Sequence, residues 1–188
     1  MASKKNLPAW IEKARASWSW RGGVRPPFAQ EPAENQESVW DYPRPPVVVV
    51  DTRHVLVKFG DVTIVDTCNA YRLLETSHPP TWYLPRKDIA LRYLERTSGS
   101  SFCEWKGSAV YFDVVVDQKR LSRVGWGYPD PIDPAFADLA DSIVFYATNL
   151  SCFVNGERVL PQPGGFYGGW ITSDLCGPFK GEPGTGGW

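Results

Sequence analysis

Histidine is nearly missing from this chain: His54 and His78 are the only two in 188 residues. Cysteine is scarce as well. Cys68, Cys103, Cys152 and Cys176 never form the closely spaced pairs from which structural zinc sites are built, so no metal is expected. Scattered thiols of this kind serve as small buried hydrophobes in a reducing compartment. Neither sign of charge is in excess, since 20 Lys and Arg face 21 Asp and Glu, a net charge of -1. That balance argues against a partner held by many phosphates, such as long nucleic acid. No apolar run approaches the roughly 20 residues of a membrane helix. The opening "MASKKNLPAW" lacks the apolar stretch of a signal peptide, so the cytoplasm is the expected location. Cofactor signatures are absent too. There is no G-x-x-x-x-G-K-[ST] phosphate loop and no G-x-S-x-G nucleophile elbow.

What is abundant is aromatic and apolar residues, at 14% and 43% of the chain, enough for a core in a chain of this length. They fall into three zones. Residues 1–46 form an arm with four of the nine tryptophans: Trp10, Trp18, Trp20 and Trp40. Within it "PAWIEKARASW" can start a helix at Pro8, with Trp10, Ile11, Ala14 and Trp18 on one stripe and Glu12, Lys13 and Arg15 turned away. Residues 47–160 read as a β domain. Residues 161–188 hold nine glycines and four prolines but also Phe166, Tyr167, Trp170 and Phe179, which a solvated linker does not need. Arm and tail are therefore expected to wrap the β domain.

The middle zone is rich in strand signals. "VLVKFGDVTIVD" predicts a hairpin turning on Gly60-Asp61, pairing Phe59 with Val62 and Val57 with Ile64. "YRLLET", "TWYLP", "SAVYFDVVVD" and "SIVFYA" supply further strands, and "SCFVNGERV" a second hairpin on Asn155-Gly156. "DPAFADLAD" offers a short helix capped by Asp133, with Phe136 and Leu139 inward. The fold class is mainly all-β: a small antiparallel sandwich or open barrel.

Site signals are weaker. Cys103 could be a nucleophile, but no histidine lies near it in the chain, and a buried strand-edge thiol is the plainer reading. Asp113 and Asp117 share a strand face four residues apart, roughly 13 Å at 3.3 Å per residue. Two-metal nucleotide transfer wants its ions about 3.5–4 Å apart, so this spacing argues against it. A better signal is polar groups among aromatics at strand ends. These are Tyr83, Arg86 and Asp88 in "YLPRKD", Cys103, Trp105 and Lys106 in "CEWKG", and Trp126, Tyr128 and Asp130 in "GWGYPDP". They predict a shallow aromatic pocket with a few placed charges, as small ligands require. The alternative is that the aromatics pack the core while Arg86 and Asp88 form a surface pair.

"YLPRKDI", "CEWKGSAVYF", "GWGYPDP" and "IVFYA", in this order, resemble the domain of unknown function 427 family over roughly residues 47–160. Glu75, Tyr83, Pro85, Asp88, Cys103, Lys106, Gly107, Ala109, Tyr111, Trp126, Tyr128, Pro131 and Tyr146 match its pattern. The flanks "ESVWDYPRPP" and "PGGFYGGW" resemble long forms from cyanobacteria and plants. The resemblance implies a small domain similar to the β-tent group, two antiparallel sheets meeting over a ligand cleft. Relatives of that architecture often hold a four-cysteine zinc, which the cysteines here do not match. The family has also been placed under a nucleotidyltransferase heading. The expectation is a small-molecule-binding module whose ligand meets Glu75, Tyr83, Arg86, Asp88, Cys103, Lys106, Gly107, Tyr111, Trp126 and Tyr128. In it Lys106 and Arg86 supply charge, Glu75 orients Lys106, and Gly107 lets backbone approach. A nucleotide-dependent enzyme and a partner-binding protein are the competing readings.

Overall fold

Pro8 opens the described chain, residues 8–188 of a computed structural model. The helix that follows, α1 (Ala9–Ala16), ends where the Ser17 N–H bonds the Ala14 carbonyl. Its inward stripe is narrower than the sequence suggests. Ile11 is buried, but Trp10 is 53% exposed and only meets the Phe102 ring edge-on at 5.1 Å. Arg15 turns inward instead of away. Its Nε donates to the Glu104 carbonyl at 2.8 Å, and its guanidinium lies over the Trp105 ring.

After the short β1 (Glu37–Ser38) come β2 (Val47–Asp51), β3 (Val55–Phe59), β4 (Val62–Thr67), β5 (Ala70–Leu74) and β6 (Thr81–Pro85). Three long or central strands follow: β7 (Leu94–Cys103), β8 (Gly107–Val116) and β9 (Lys119–Gly127). Then come β10 (Ser142–Phe145), β11 (Ser151–Val154), β12 (Glu157–Arg158), β13 (Leu160–Pro161), β14 (Trp170–Ile171) and β15 (Leu175–Cys176). Two antiparallel sheets carry the fold. The larger has seven strands in the order β2-β5-β6-β10-β9-β8-β7, and the smaller runs β12-β11-β3-β4. The larger sheet ends in two edges, β2 and β7, and does not close into a barrel.

The hairpin turns follow local chemistry. Asn155 and Gly156 take φ of +48° and +81°, the left-handed pair of a primed two-residue turn, and fix Val154 opposite Glu157. In the β3–β4 hairpin Phe59 meets Val62 as predicted, but Val57 meets Val65, not Ile64. One extra residue in β4 makes a bulge, which allows both Ile64 and Val65 to be buried. Residues 134–139 form a 3₁₀ turn, with the Asp133 carboxylate accepting the Ala135 N–H and both Phe136 and Leu139 buried.

Strands β7 and β9 have no counterpart in the sequence reading. "LERTSGSSFC" is an almost wholly exposed edge strand, bulged between Arg96 and Ser100, so it carries no burial periodicity. The start of β9, "KRLSR", is exposed as well.

Alternation along the larger sheet sorts its side chains into two sets. Trp82, Leu84, Phe112, Val114, Ile143 and Phe145 face the smaller sheet and join Val55, Val57, Ile64 and Val65 in one core. Tyr83, Ala109, Trp126 and Val144 lie on the opposite face, where they pack with Trp105, Tyr128, Phe136 and Leu139. A third cluster joins arm to tail: Val39, Trp40, Tyr42 and Leu175, with Trp20, Phe179 and Trp188 against them. There β1 pairs in parallel with β15, and the Trp40 indole donates to the Pro178 carbonyl at 3.0 Å. No described helix is long and apolar enough to cross a membrane.

Candidate functional site

The outer face of the larger sheet is not filled. Between it and the arm and tail lies a cavity of about 280 Å³. Its floor comes from strands on both sides of β10: Leu73 of β5, Tyr83 of β6, Trp126 of β9, Tyr111 of β8 and Cys103 of β7. The turn after β7 adds Glu104, Trp105 and Lys106, and the segments after β5, β9 and β10 add Glu75 with His78, Tyr128 and Tyr146. Trp18 from the arm and Phe166, Tyr167 and Gly168 from the tail complete the walls.

Close approach decides how the tail fits. A side-chain carbon on Gly168 would run into the Trp126 ring, so only glycine allows the tail to lie there. Trp126 in turn stacks at a tilt on Tyr146, centroids 4.3 Å apart, and the Tyr146 hydroxyl donates to the Phe166 carbonyl at 3.1 Å. Trp18 is held by charge on its ring. The Arg44 guanidinium lies 4.5 Å and the Lys180 ammonium 4.1 Å from its centroid, while its indole N–H donates to Glu104 Oε1 at 3.2 Å.

Lys106 is the central polar group. It is 6% exposed, with its Nζ 5.3 Å from the Tyr128 ring centroid and 5.9 Å from that of Phe136. Among the described residues its ammonium has no hydrogen-bond acceptor and no carboxylate within 4.0 Å. Burial depresses such an ammonium, but its pKa is held well above the ordinary value by groups that turn negative around it: Tyr83, Cys103 and Tyr128 at high pH, and the Glu75 carboxylate throughout. Burial raises Tyr83 and Tyr128, so both phenols stay neutral. Neither phenol has a hydrogen-bond partner among the described residues, whereas Tyr111 is bonded to the Ser101 hydroxyl at 2.7 Å. The Trp105 indole N–H is also buried without an acceptor.

Glu75 does not pair with Lys106. It accepts Arg44 Nε at 3.1 Å, and Arg44 spends its other nitrogens on the Trp20 and Thr76 carbonyls. Burial opposes the charge on Glu75, but His78 (when protonated), Lys106 and Arg44 lower its pKa, so it is a carboxylate. His78 is driven the other way, down to about 4, chiefly by burial. It is therefore neutral, and its tautomer is readable. Gln162 Oε1 accepts the Gly169 N–H at 3.1 Å, so its amide nitrogen is what faces His78 Nδ1 at 3.0 Å. Nδ1 must accept that bond, which puts the ring proton on Nε2.

Of the residues expected to form a site, Glu75, Tyr83, Cys103, Lys106, Tyr111, Trp126 and Tyr128 line this one cavity. Arg86, Asp88 and Gly107 do not. Arg86 lies over the Phe112 ring near Asp141, toward the inner core. Asp88 accepts the Thr67 hydroxyl at 2.7 Å and so ties β4 to the turn after β6. Gly107 has φ +94° and packs its α-carbon on Ile132, where a Cβ would come within 2.7 Å of Cγ2. Its role is local backbone conformation. Trp18, His78, Glu104, Tyr146 and Tyr167 also line the cavity but are not among the expected site residues, although Tyr146 matches the family pattern. His78 was the most findable, as one of two histidines, three residues from Glu75 and followed by two prolines.

The two strand aspartates have structural partners. Asp113 accepts Arg120 Nη1 at 2.6 Å and the Arg123 N–H at 2.8 Å, while Asp117, at φ +54°, turns the β8–β9 hairpin. Among the described residues no three His, Cys, Asp or Glu side chains are grouped to hold a metal, so the cysteines do not fit a zinc of the β-tent type.

A family model described as Domain of unknown function (DUF427) matches residues 47–156. The chain belongs to this family. No curated protein matches the sequence. The matched segment of this DUF427 protein supplies the floor of the cavity, from Leu73 to Tyr146. Trp18 and the Phe166–Gly168 wall lie outside that segment.

Proposed function

We propose that this DUF427 protein binds a small molecule in the cavity on the outer face of the larger sheet. The observation that supports the reading is Lys106: a residue 6% exposed whose ammonium opens onto the cavity, with neither acceptor nor carboxylate among the described residues. Leaving such a charge unsatisfied is costly, and a bound acceptor relieves the cost. The aromatic floor and the polar hydroxyls around it suit a ring-sized guest, because ligand pockets run to about 300–1,000 Å³ and this one lies at the small end of that range.

Nucleotidyl transfer has less support. The aspartates that could have carried metals are held by arginines or sit in a turn, and the cavity is lined by more donors than metal ligands. A thermal-shift panel of nucleosides, nucleoside triphosphates and single-ring compounds, each with and without Mg²⁺, tests both readings. Saturation at a hundred times the dissociation constant adds about 2.7 kcal/mol, a shift of roughly 5–10 °C for a chain of this size. A metal-independent shift with a single-ring compound is expected. A shift that needs both Mg²⁺ and a triphosphate would favour the transferase, and a flat panel would favour a protein partner for the arm and tail.

A further inference from the structure

The cavity carries a charge that its own residues do not balance. Three cations face it or hold its walls: Lys106, Arg44 and Lys180. Two carboxylates answer them, Glu75 and Glu104. Arg15, beside Trp105, has its own carboxylate in Asp133 at 3.8 Å. Both cavity carboxylates are already engaged, Glu75 by Arg44 and Glu104 by the Trp18 N–H. Lys180 has acceptors in backbone oxygens of Gly186 and Trp188 at 3.0 and 2.7 Å, so the cation left without an acceptor or a carboxylate is Lys106, which meets only the Tyr128 and Phe136 rings.

The free hydrogen-bonding capacity has the same sense. Lys106 can only donate, and His78 with its proton on Nε2 donates on its unbonded side. The neutral phenols of Tyr83 and Tyr128 are open beside them. Among the described residues no free carboxylate is on offer to a cationic guest. Trp126, Tyr146 and Tyr111 line the same cavity and give it an aromatic wall for a ring to pack against.

Resting on the small-molecule reading above, we infer that the ligand is a small planar monoanion, a single-ring aromatic or heteroaromatic carboxylate. Its carboxylate accepts from Lys106 and from the phenols of Tyr83 and Tyr128, while its ring lies against Trp126. Such a guest cancels the residual charge and satisfies the buried ammonium in one step. A neutral amide of the same shape can accept hydrogen bonds but leaves the charge uncompensated. An amine repeats the charge already there.

Calorimetric titration with three probe sets of matched shape tests this: benzoate and nicotinate, benzamide and nicotinamide, and benzylamine. The carboxylates should bind at least about tenfold more tightly than the amides, the ratio expected of a hydrogen bond to a charged rather than a neutral group, and benzylamine should not bind. Lys106→Met should abolish the preference. Tyr83→Phe, which removes only a hydroxyl and so keeps the fold, should weaken benzoate severalfold more than benzamide. Amides binding as tightly as carboxylates would overturn the anion inference and leave small-molecule binding standing, as would benzylamine binding best. No heat from any of the three charge classes would overturn both.

Discussion

Tyr83 and Leu84 are neighbours in the chain, both about 1% exposed or less, yet they lie on opposite faces of the same strand and have different surroundings. Leu84 enters the core between the two sheets, in the apolar cluster of Trp82, Phe112, Val114, Ile143 and Phe145. Tyr83 enters a space roofed by irregular chain from both ends of the molecule. The inner face is sheet against sheet, joined by Trp170 of the tail, which stacks on Trp82 and donates its indole N–H to the Phe145 carbonyl at 2.8 Å. The outer face is sheet against arm and tail, and it keeps a cavity, a bare ammonium and open hydroxyls. Burial alone thus says little about role. What separates the two faces is whether the polar atoms delivered there find partners.

Single substitutions can break this contrast, and the largest effect should fall on the inner face. Leu84→Ala should cost about 2–5 kcal/mol, read from chemical denaturation, because the gap left between two sheets cannot close. Gly168→Ala should come next, at about 1–3 kcal/mol, since the new methyl meets the Trp126 ring. Its signature should be local: faster proteolysis and hydrogen exchange in residues 161–188 with the sheets intact. Equal loosening of both sheets would mean that strain at Gly168 is passed on to the inner core through Trp170, two residues further along the tail.

Acid should find the outer face through His78. Its folded-state pKa of about 4 lies below the ordinary 6.5, so the unfolded chain takes up the proton first. Stability from this group is complete above pH 6.5 and declines as the pH falls toward 4. His78→Gln should flatten that part of a melting-temperature profile, and an unchanged profile would show that His78 titrates normally. The smallest effect belongs to Tyr83→Phe, within about 1 kcal/mol, because its hydroxyl has no partner to lose. Set beside Leu84→Ala, that near-silent result is the sharpest test of the two-face contrast. A large loss at Tyr83 would show a hydrogen bond hidden in the cavity.

Much of the cavity floor was legible in the sequence. Tyr83, Cys103, Lys106, Trp126 and Tyr128 sit at strand ends among aromatics, and alternation puts the floor residues on one face. Arg86, Asp88 and Gly107 shared the same short motifs but are directed elsewhere. The turn after Pro85 carries Arg86 and Asp88 away from the cavity face, and Gly107 serves its own left-handed backbone. Sequence proximity could not separate them from Tyr83 or Lys106. The β7 edge was illegible for another reason: a strand exposed on both faces leaves no pattern to read.

By itself the sequence determined what depends on short-range chemistry. The primed turn at Asn155-Gly156 needs only residues that tolerate positive φ. The Asp133 cap needs an N–H two residues on, and the alternation of β6 and β10 needs only the pleat. Tertiary structure alone decided the rest. The His78 tautomer is set by Gln162, 84 residues away, and the place of Trp18 by Arg44 and Lys180 from distant segments. Glu75 bonds Arg44, thirty-one residues away in the chain, and not Lys106. Turns and pleats are fixed by a few adjacent dihedral angles. A cavity's charge balance is a sum over groups that only the closed chain brings together.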